Sequence, residues 1–224
     1  MLREIIAGNM GFTDMILYAL SAFAVILLTM PVHEWAHGFI ATKLGDPTPR
    51  YQGRLTLNPF AHIDYMGALC IIFFGVGWAK PVQINPRNFK NAKFGMAITA
   101  LAGPVSNILM AGLSMLLGNV VITLFQTTFG LFICSFFYLV ATTNIYLAVF
   151  NLIPIPPFDG SRILFAILPD KYYWRVMQYE RYLMIALLLI IATGALSEPL
   201  DIASGAVYNF LDFITSLPFI LFMR

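Results

Sequence analysis

The sequence predicts an all-α polytopic membrane protein, with about five to six transmembrane helices and a short membrane-embedded β-strand or re-entrant region after the first. Three observations carry this. Of 224 residues, 59% are hydrophobic and 11% charged, against about 25% charged in a soluble domain. The mean hydropathy is +0.80, and several uncharged runs approach the roughly 20 residues that cross a hydrocarbon core. One polar stretch, 45–62, interrupts them with a different periodicity. The net charge of +2 is small and its basic residues are spread over several loops, so nucleic acid is not implied.

In chain order, 1–14 is a short amphipathic lead with Arg3, Glu4 and Asp14. Residues 15–32 carry no charge, and the helix is expected to continue through the motif at 33–37 to about Leu44, where Gly45 can cap it. With no small-residue cleavage site after it, this run reads as a retained anchor. Pro31 predicts a kink and a freed carbonyl just before the motif. Residues 53–58 alternate in the strand period, with Leu55 and Leu57 on one face and Arg54 and Thr56 on the other. The stretch reads either as a strand able to take up an extended peptide by strand addition or as a plain cytosolic loop.

Residues 65–78 are apolar but too short to span, which predicts a re-entrant or interfacial segment. Gly75 and Gly77 within it make a flexible turn at most. A basic loop follows at 79–93, then spans at 94–117, 131–150, 182–196 and 203–223. The chain reads as one domain over 1–224, with a core at about 15–168 and C-terminal helices over 172–224. Cys70 and Cys134 both lie in apolar runs and fit no metal spacing, which predicts free thiols. If the loops 43–64, 79–93 and 154–181 and the C-terminal end share one side, that side holds every Lys and Arg except Arg3. The positive-inside rule makes it cytoplasmic. The N-terminus is then outside, and a multi-pass protein of the cell membrane follows.

The residues that carry chemistry are H-E-W-A-H, His33 to His37. On a helix His33 and His37 stand one turn apart on one face, so both imidazoles can reach one metal ion. Glu34 is offset by about 100°, placed to act as a base on water rather than to bind the ion. Such groups in or beside a membrane span are costly and need a compensating role. A catalytic zinc takes three protein ligands and leaves one position open. Two residues are candidates for the third ligand, Asp159 the stronger of them. His62 lies in the loop before 65–78. Asp159 lies in N-L-I-P-I-P-P-F-D-G, 151–160, where the prolines force an extended stretch after a span. Asp159 also fits a helix N-cap before R-I-L-F-A-I-L.

Together H-E-W-A-H, A-G-P-V-S-N at 102–107 and N-L-I-P-I-P-P-F-D-G, with G-R-L-T-L-N-P-F-A-H-I-D at 53–64 and G-W-A-K-P-V at 77–82, resemble the site-2 proteases, intramembrane zinc metalloproteases, in their compact bacterial branch. The resemblance spans about 15–168. It implies one catalytic Zn2+ held by His33, His37 and Asp159, Glu34 as general base, and Asn151 on the substrate backbone or the oxyanion. It implies peptide hydrolysis in transmembrane segments of single-pass or signal-peptide-like substrates near the cytoplasmic face, in contact with membrane lipid. It leaves open a homo-oligomer or a regulatory membrane partner. Asn107 is expected behind the ligands. No loop is long enough for a PDZ domain, and no C-terminal nucleotide-sensing domain is expected. Two alternatives are weighed against this: a peptidase acting on lipid-modified cysteine tails, which needs a distal glutamate ligand, and a non-proteolytic metal-binding transporter or scaffold.

Overall fold

Pro31 has no N–H to give the helix, and its ring presses on the carbonyl four residues back. The chain answers with one wide turn rather than a break. In this computed structural model, which describes residues 11–74, 79–169 and 178–222, helix α1 runs unbroken over Phe12–Lys43, and its turn Val25–Thr29 is a π-helix. The wide turn absorbs the proline just upstream of His33, a place where π-bulges commonly accompany function. Gly45, at φ 110°, ends the helix as its sequence predicts. The charged residues Arg3 and Glu4, the turn at Gly75 and Gly77, and Lys171 and Arg175 lie outside the described residues.

All described elements are helical. After α1 come a short α2 (Thr48–Tyr51), a 3-10 turn Pro59–Ala61 and α3 (Tyr65–Phe74). A second 3-10 turn, Pro86–Asn88, precedes α4 (Ala92–Leu124) and α5 (Thr128–Asn151). The chain ends with α6 (Asp159–Ile167), α7 (Glu180–Thr193) and α8 (Ser197–Phe222). Among the described residues three helices, α1, α4 and α5, are long and apolar enough to cross a membrane, where the sequence suggests five to six spans. The ten described residues of α3 extend about 15 Å, half of a hydrocarbon core.

The strand expected at 53–58 is absent among the described residues. Its polar groups are satisfied locally instead of in a ladder. His62 Nε2 donates to the Thr56 carbonyl at 2.8 Å, Arg54 donates to the Ala61 carbonyl, and the Asn58 N–H is taken by Thr56 Oγ1. Cys70 and Cys134 are free thiols, as expected.

Helices α4 and α5 pack through small residues. Ala111 and Met115 meet Ala141 and Ile145, with Leu211 of α8 closing the cluster. Where lipid replaces water such closeness comes from small side chains rather than from the hydrophobic effect. The direction of α8 differs from its expected one. Asp201 accepts from the Tyr146 hydroxyl, Asp212 from Tyr138 (3.3 Å), and the Thr215 carbonyl from Asn119 Nδ2 (3.3 Å). Helix α8 therefore runs antiparallel to α5. Its Ser197 end, not its Phe222 end, lies beside the Asn151 end of α5. Hydropathy counts crossings, and the fourteen residues of α7, about 21 Å, fall short of one.

Asp46 knits the turn after α1 to the loop before α4. Fully buried, it accepts from the N–H of Thr48 (3.1 Å), the N–H of Asn85 (2.7 Å) and Asn88 Nδ2 (2.6 Å). Burial pushes its carboxyl up, but the hydrogen bonds from Thr48, Asn88 and Asn85 win and hold it below the usual carboxylate range. A depressed carboxyl stabilises the fold above its unfolded pKa, and the contribution fades as pH falls through the folded value. Asp46→Ala is expected to cost about 1–3 kcal/mol at neutral pH. Thermal unfolding followed against pH should show that gap closing on the acid side; a gap independent of pH would mean the carboxylate's charge is not what matters.

Candidate metal centre

Three side chains from two distant parts of the sequence converge between α1 and α6. His33 and His37 come from successive turns of α1, and Asp159 is the first residue of α6. Their nearest atoms, His33 Nε2, His37 Nε2 and Asp159 Oδ2, lie 3.0, 3.3 and 3.3 Å apart. Bonds of 2.0–2.1 Å to a tetrahedral zinc require ligand atoms about 3.3 Å from one another. The triangle has the dimensions of one tetrahedral face, and the fourth corner is left to water or substrate.

Hydrogen bonds behind the ligands fix what those atoms are. His37 Nδ1 lies 2.7 Å from the Thr99 carbonyl, which can only accept, so Nδ1 carries the proton and Nε2 presents a lone pair. His33 Nδ1 lies 3.3 Å from Asn107 Oδ1 in the same relation. Asp159 Oδ2 is buried and has no hydrogen-bond donor among the described residues. Burial alone would raise the Asp159 carboxyl, but the adjacent His37 and His33 hold it well below the usual carboxylate range. Two lone pairs and a carboxylate oxygen aimed at one point repel each other unless a proton or a metal ion lies between them. Such a set of donors fits zinc. His33, His37 and Asp159 form the single cluster of this kind among the described residues.

Two glycines make the convergence possible. A Cβ on Gly103 would lie 2.5 Å from His33 Cε1 and would collide with the His37 ring. A Cβ on Gly160 would lie 2.6 Å from the Ile153 carbonyl oxygen and would strike the Leu152 carbonyl, so only glycine lets Asp159 turn back beside the end of α5. Helix α6 begins at Asp159 with Phe158 as its cap residue and no side-chain cap bond. The capping alternative for Asp159 is thereby removed. Gly103→Ala is expected to push both imidazoles aside and weaken zinc binding by about 10- to 100-fold, as losses around metal sites typically do. Competition with a chromophoric chelator reads it; unchanged affinity would show that the helices separate freely.

The other residues singled out in the sequence are placed as follows. The Glu34 carboxylate is buried on α1, and its Oε2 accepts the N–H of Val82 at 2.8 Å. Asn151 is the last residue of α5, partly buried. His62 is fully buried but takes no part in the cluster, so the second candidate for third ligand is ruled out by position. The sequence reading missed the Thr99 carbonyl, the close fit at Gly103 and the Val82 N–H. Thr99, Gly103 and Asn107 recur every fourth residue and so share one face of α4. That spacing was the available signal. Nothing in a residue's identity announces a main-chain donor.

An H-E-x-x-H helix, a distant aspartate completing a zinc-sized triangle, and long apolar helices around them define a membrane zinc metalloprotease. The comparisons agree. A family model, Peptidase family M50, matches residues 115–191. The candidate zinc metalloprotease YwhC of Bacillus subtilis (strain 168) is 36% identical over 187 residues, covering 79% of this chain and 84% of that one. The candidate zinc metalloprotease Rip2 of Mycolicibacterium smegmatis is 27% identical over 192 residues, covering 84% and 71%. No solved structure gives a significant match. The chain belongs to peptidase family M50, the site-2 proteases.

Proposed function

We propose that this protease cuts peptide bonds inside or at the edge of transmembrane segments, near the cytoplasmic face, in single-pass or signal-peptide-like substrates. The observation that carries the reading is the convergence of His33, His37 and Asp159 beside a buried glutamate on a helix long and apolar enough to cross a membrane. Zinc at that point supplies a Lewis acid that polarises a carbonyl and makes water acidic near neutral pH.

The rest is done by the chain. Glu34 takes the proton of the attacking water and delivers it to the leaving amine. Asn151, at the open end of α5, donates to the oxygen on which charge develops. A helical substrate hides its peptide bonds and must unwind before it can be cut. The basic loops put the Asp46 end of the bundle in the cytoplasm. The ten-residue α3 is read as re-entrant. Helix α8 is read as a further crossing, which carries the C-terminal end to the face opposite the catalytic site.

One preparation tests this reading: the purified protein in lipid vesicles with a model single-pass substrate. Mass spectrometry of the products should place the cut in the substrate's apolar segment or within a few residues of its cytoplasmic edge. Cysteine labelling should find the 79–91 loop and the C-terminal end on opposite faces. Cleavage confined to soluble, unstructured peptides would sink the intramembrane reading, and labelling from one face would sink the topology.

A further inference from the structure

Glu34 has a partner that neither its motif nor its family match assigns. Its Oε2 accepts the Val82 N–H at 2.8 Å, across 48 positions of sequence. Val82 sits midway along a strap, 79–85, that has no helix or strand of its own. The strap is nevertheless tied down at residues on both sides of Val82. The Lys80 N–H donates to the His62 carbonyl at 2.8 Å, and the Asn85 N–H to Asp46 Oδ2 at 2.7 Å. Gln83 Oε1 accepts from Gln52 Nε2 at 3.0 Å. The Val82 side chain is buried, with Cγ1 close over Gly38, one turn beyond Glu34 on α1.

The local sequence explains the extended course. Lys80 precedes Pro81 and Asn85 precedes Pro86, and a residue before proline is driven out of the helical region. Asn85 is extended at φ −104°, ψ 104°. In an extended chain alternate amides face the same way, so fixing the N–H of 80 orients that of 82, and the bond at 85 holds the far end of the strap.

We propose that the Val82 N–H is a positioning donor for the general base, and that the Asp46-anchored strap holds it against Glu34. A glutamate has three rotatable side-chain bonds, and a free one must be ordered each time it works. One N–H on Oε2 fixes the carboxylate in advance and leaves the second oxygen for the proton. This inference rests on Glu34 being the base.

The test removes the N–H and little else. In the full-length protein, Val82 is replaced by its α-hydroxy acid, which turns the amide into an ester of the same shape. In parallel, Val82→Pro, which lacks the donor, is compared with Val82→Ala, which keeps it. With a model single-pass substrate in vesicles, the ester form is expected to lose about tenfold or more in kcat. Its KM and zinc content should stay those of the amide form, and Val82→Pro should fall below Val82→Ala by a similar factor. An ester form with full zinc and kcat within twofold of the amide form overturns the proposal. So does a loss of kcat that appears only with a matching loss of zinc, which would make the strap a structural brace. Failure of the base assignment reads differently: Glu34→Gln itself would then cleave at the wild-type rate.

Discussion

Glu34→Gln is expected to leave zinc bound and to lower kcat by about 10²–10⁴-fold, the usual worth of a positioned general acid–base group. The substitution is close to isosteric. The glutamine carbonyl can still accept the Val82 N–H that Glu34 Oε2 accepts at 2.8 Å, so the strap over α1 keeps its anchor. Neither His33 nor His37 has Glu34 among its hydrogen-bond partners, so the metal triangle loses no hydrogen bond. What changes is one property: an amide cannot take a proton from water and hand it to the leaving amine. Zinc content by elemental analysis and single-turnover cleavage separate the two effects. A Glu34→Gln protein that retains zinc and still cuts the model substrate would leave this site a metal scaffold rather than a hydrolase.

Much of the site was legible because its logic is periodic. His33 and His37 are readable as a pair from a spacing of four on a helix, and the uncharged run before them places them at the end of a span. Asp159 was ambiguous between cap and ligand, since an aspartate that starts a helix serves both descriptions. Only the partner atoms decide it. The Val82 N–H and the Thr99 carbonyl belong to the backbone and were invisible in principle. At 53–58 the alternation of Leu55 and Leu57 was real, but a strand also needs a neighbouring edge, and Arg54 and His62 tie that stretch back on itself. The direction of α8 failed for a related reason. Hydropathy and charge order the crossings along the chain but cannot say that Asp212 will meet Tyr138 rather than lipid.

Asp159→Ala is expected to weaken zinc binding by more than about 100-fold, because it removes a ligand rather than a group behind one, and to abolish cleavage at ordinary zinc concentrations. The metal-free protein should also lose stability, but not through a lost cap. A capping aspartate costs about 1 kcal/mol when replaced by alanine, but here α6 starts without a side-chain cap bond. Without an ion, Asp159 Oδ2 still faces His33 Nε2 and His37 Nε2 at 3.3 Å, and these imidazoles hold its carboxyl low, so deleting it removes the partner of a buried charge. The metal-free variant should therefore melt below metal-free wild type at neutral pH, and the gap should close as pH falls through the folded carboxyl's range. Added zinc should raise the melting temperature of wild type alone, since a ligand stabilises only the fold that binds it. His62→Ala is the control for ligand identity. His62 is buried and bonded to the Thr56 carbonyl at 2.8 Å, away from the triangle, so its loss should lower stability while zinc affinity stays within a few-fold. If Asp159→Ala held zinc as tightly as wild type, the triangle would be a coincidence of packing, and the carboxylate that completes this site would have to be sought elsewhere.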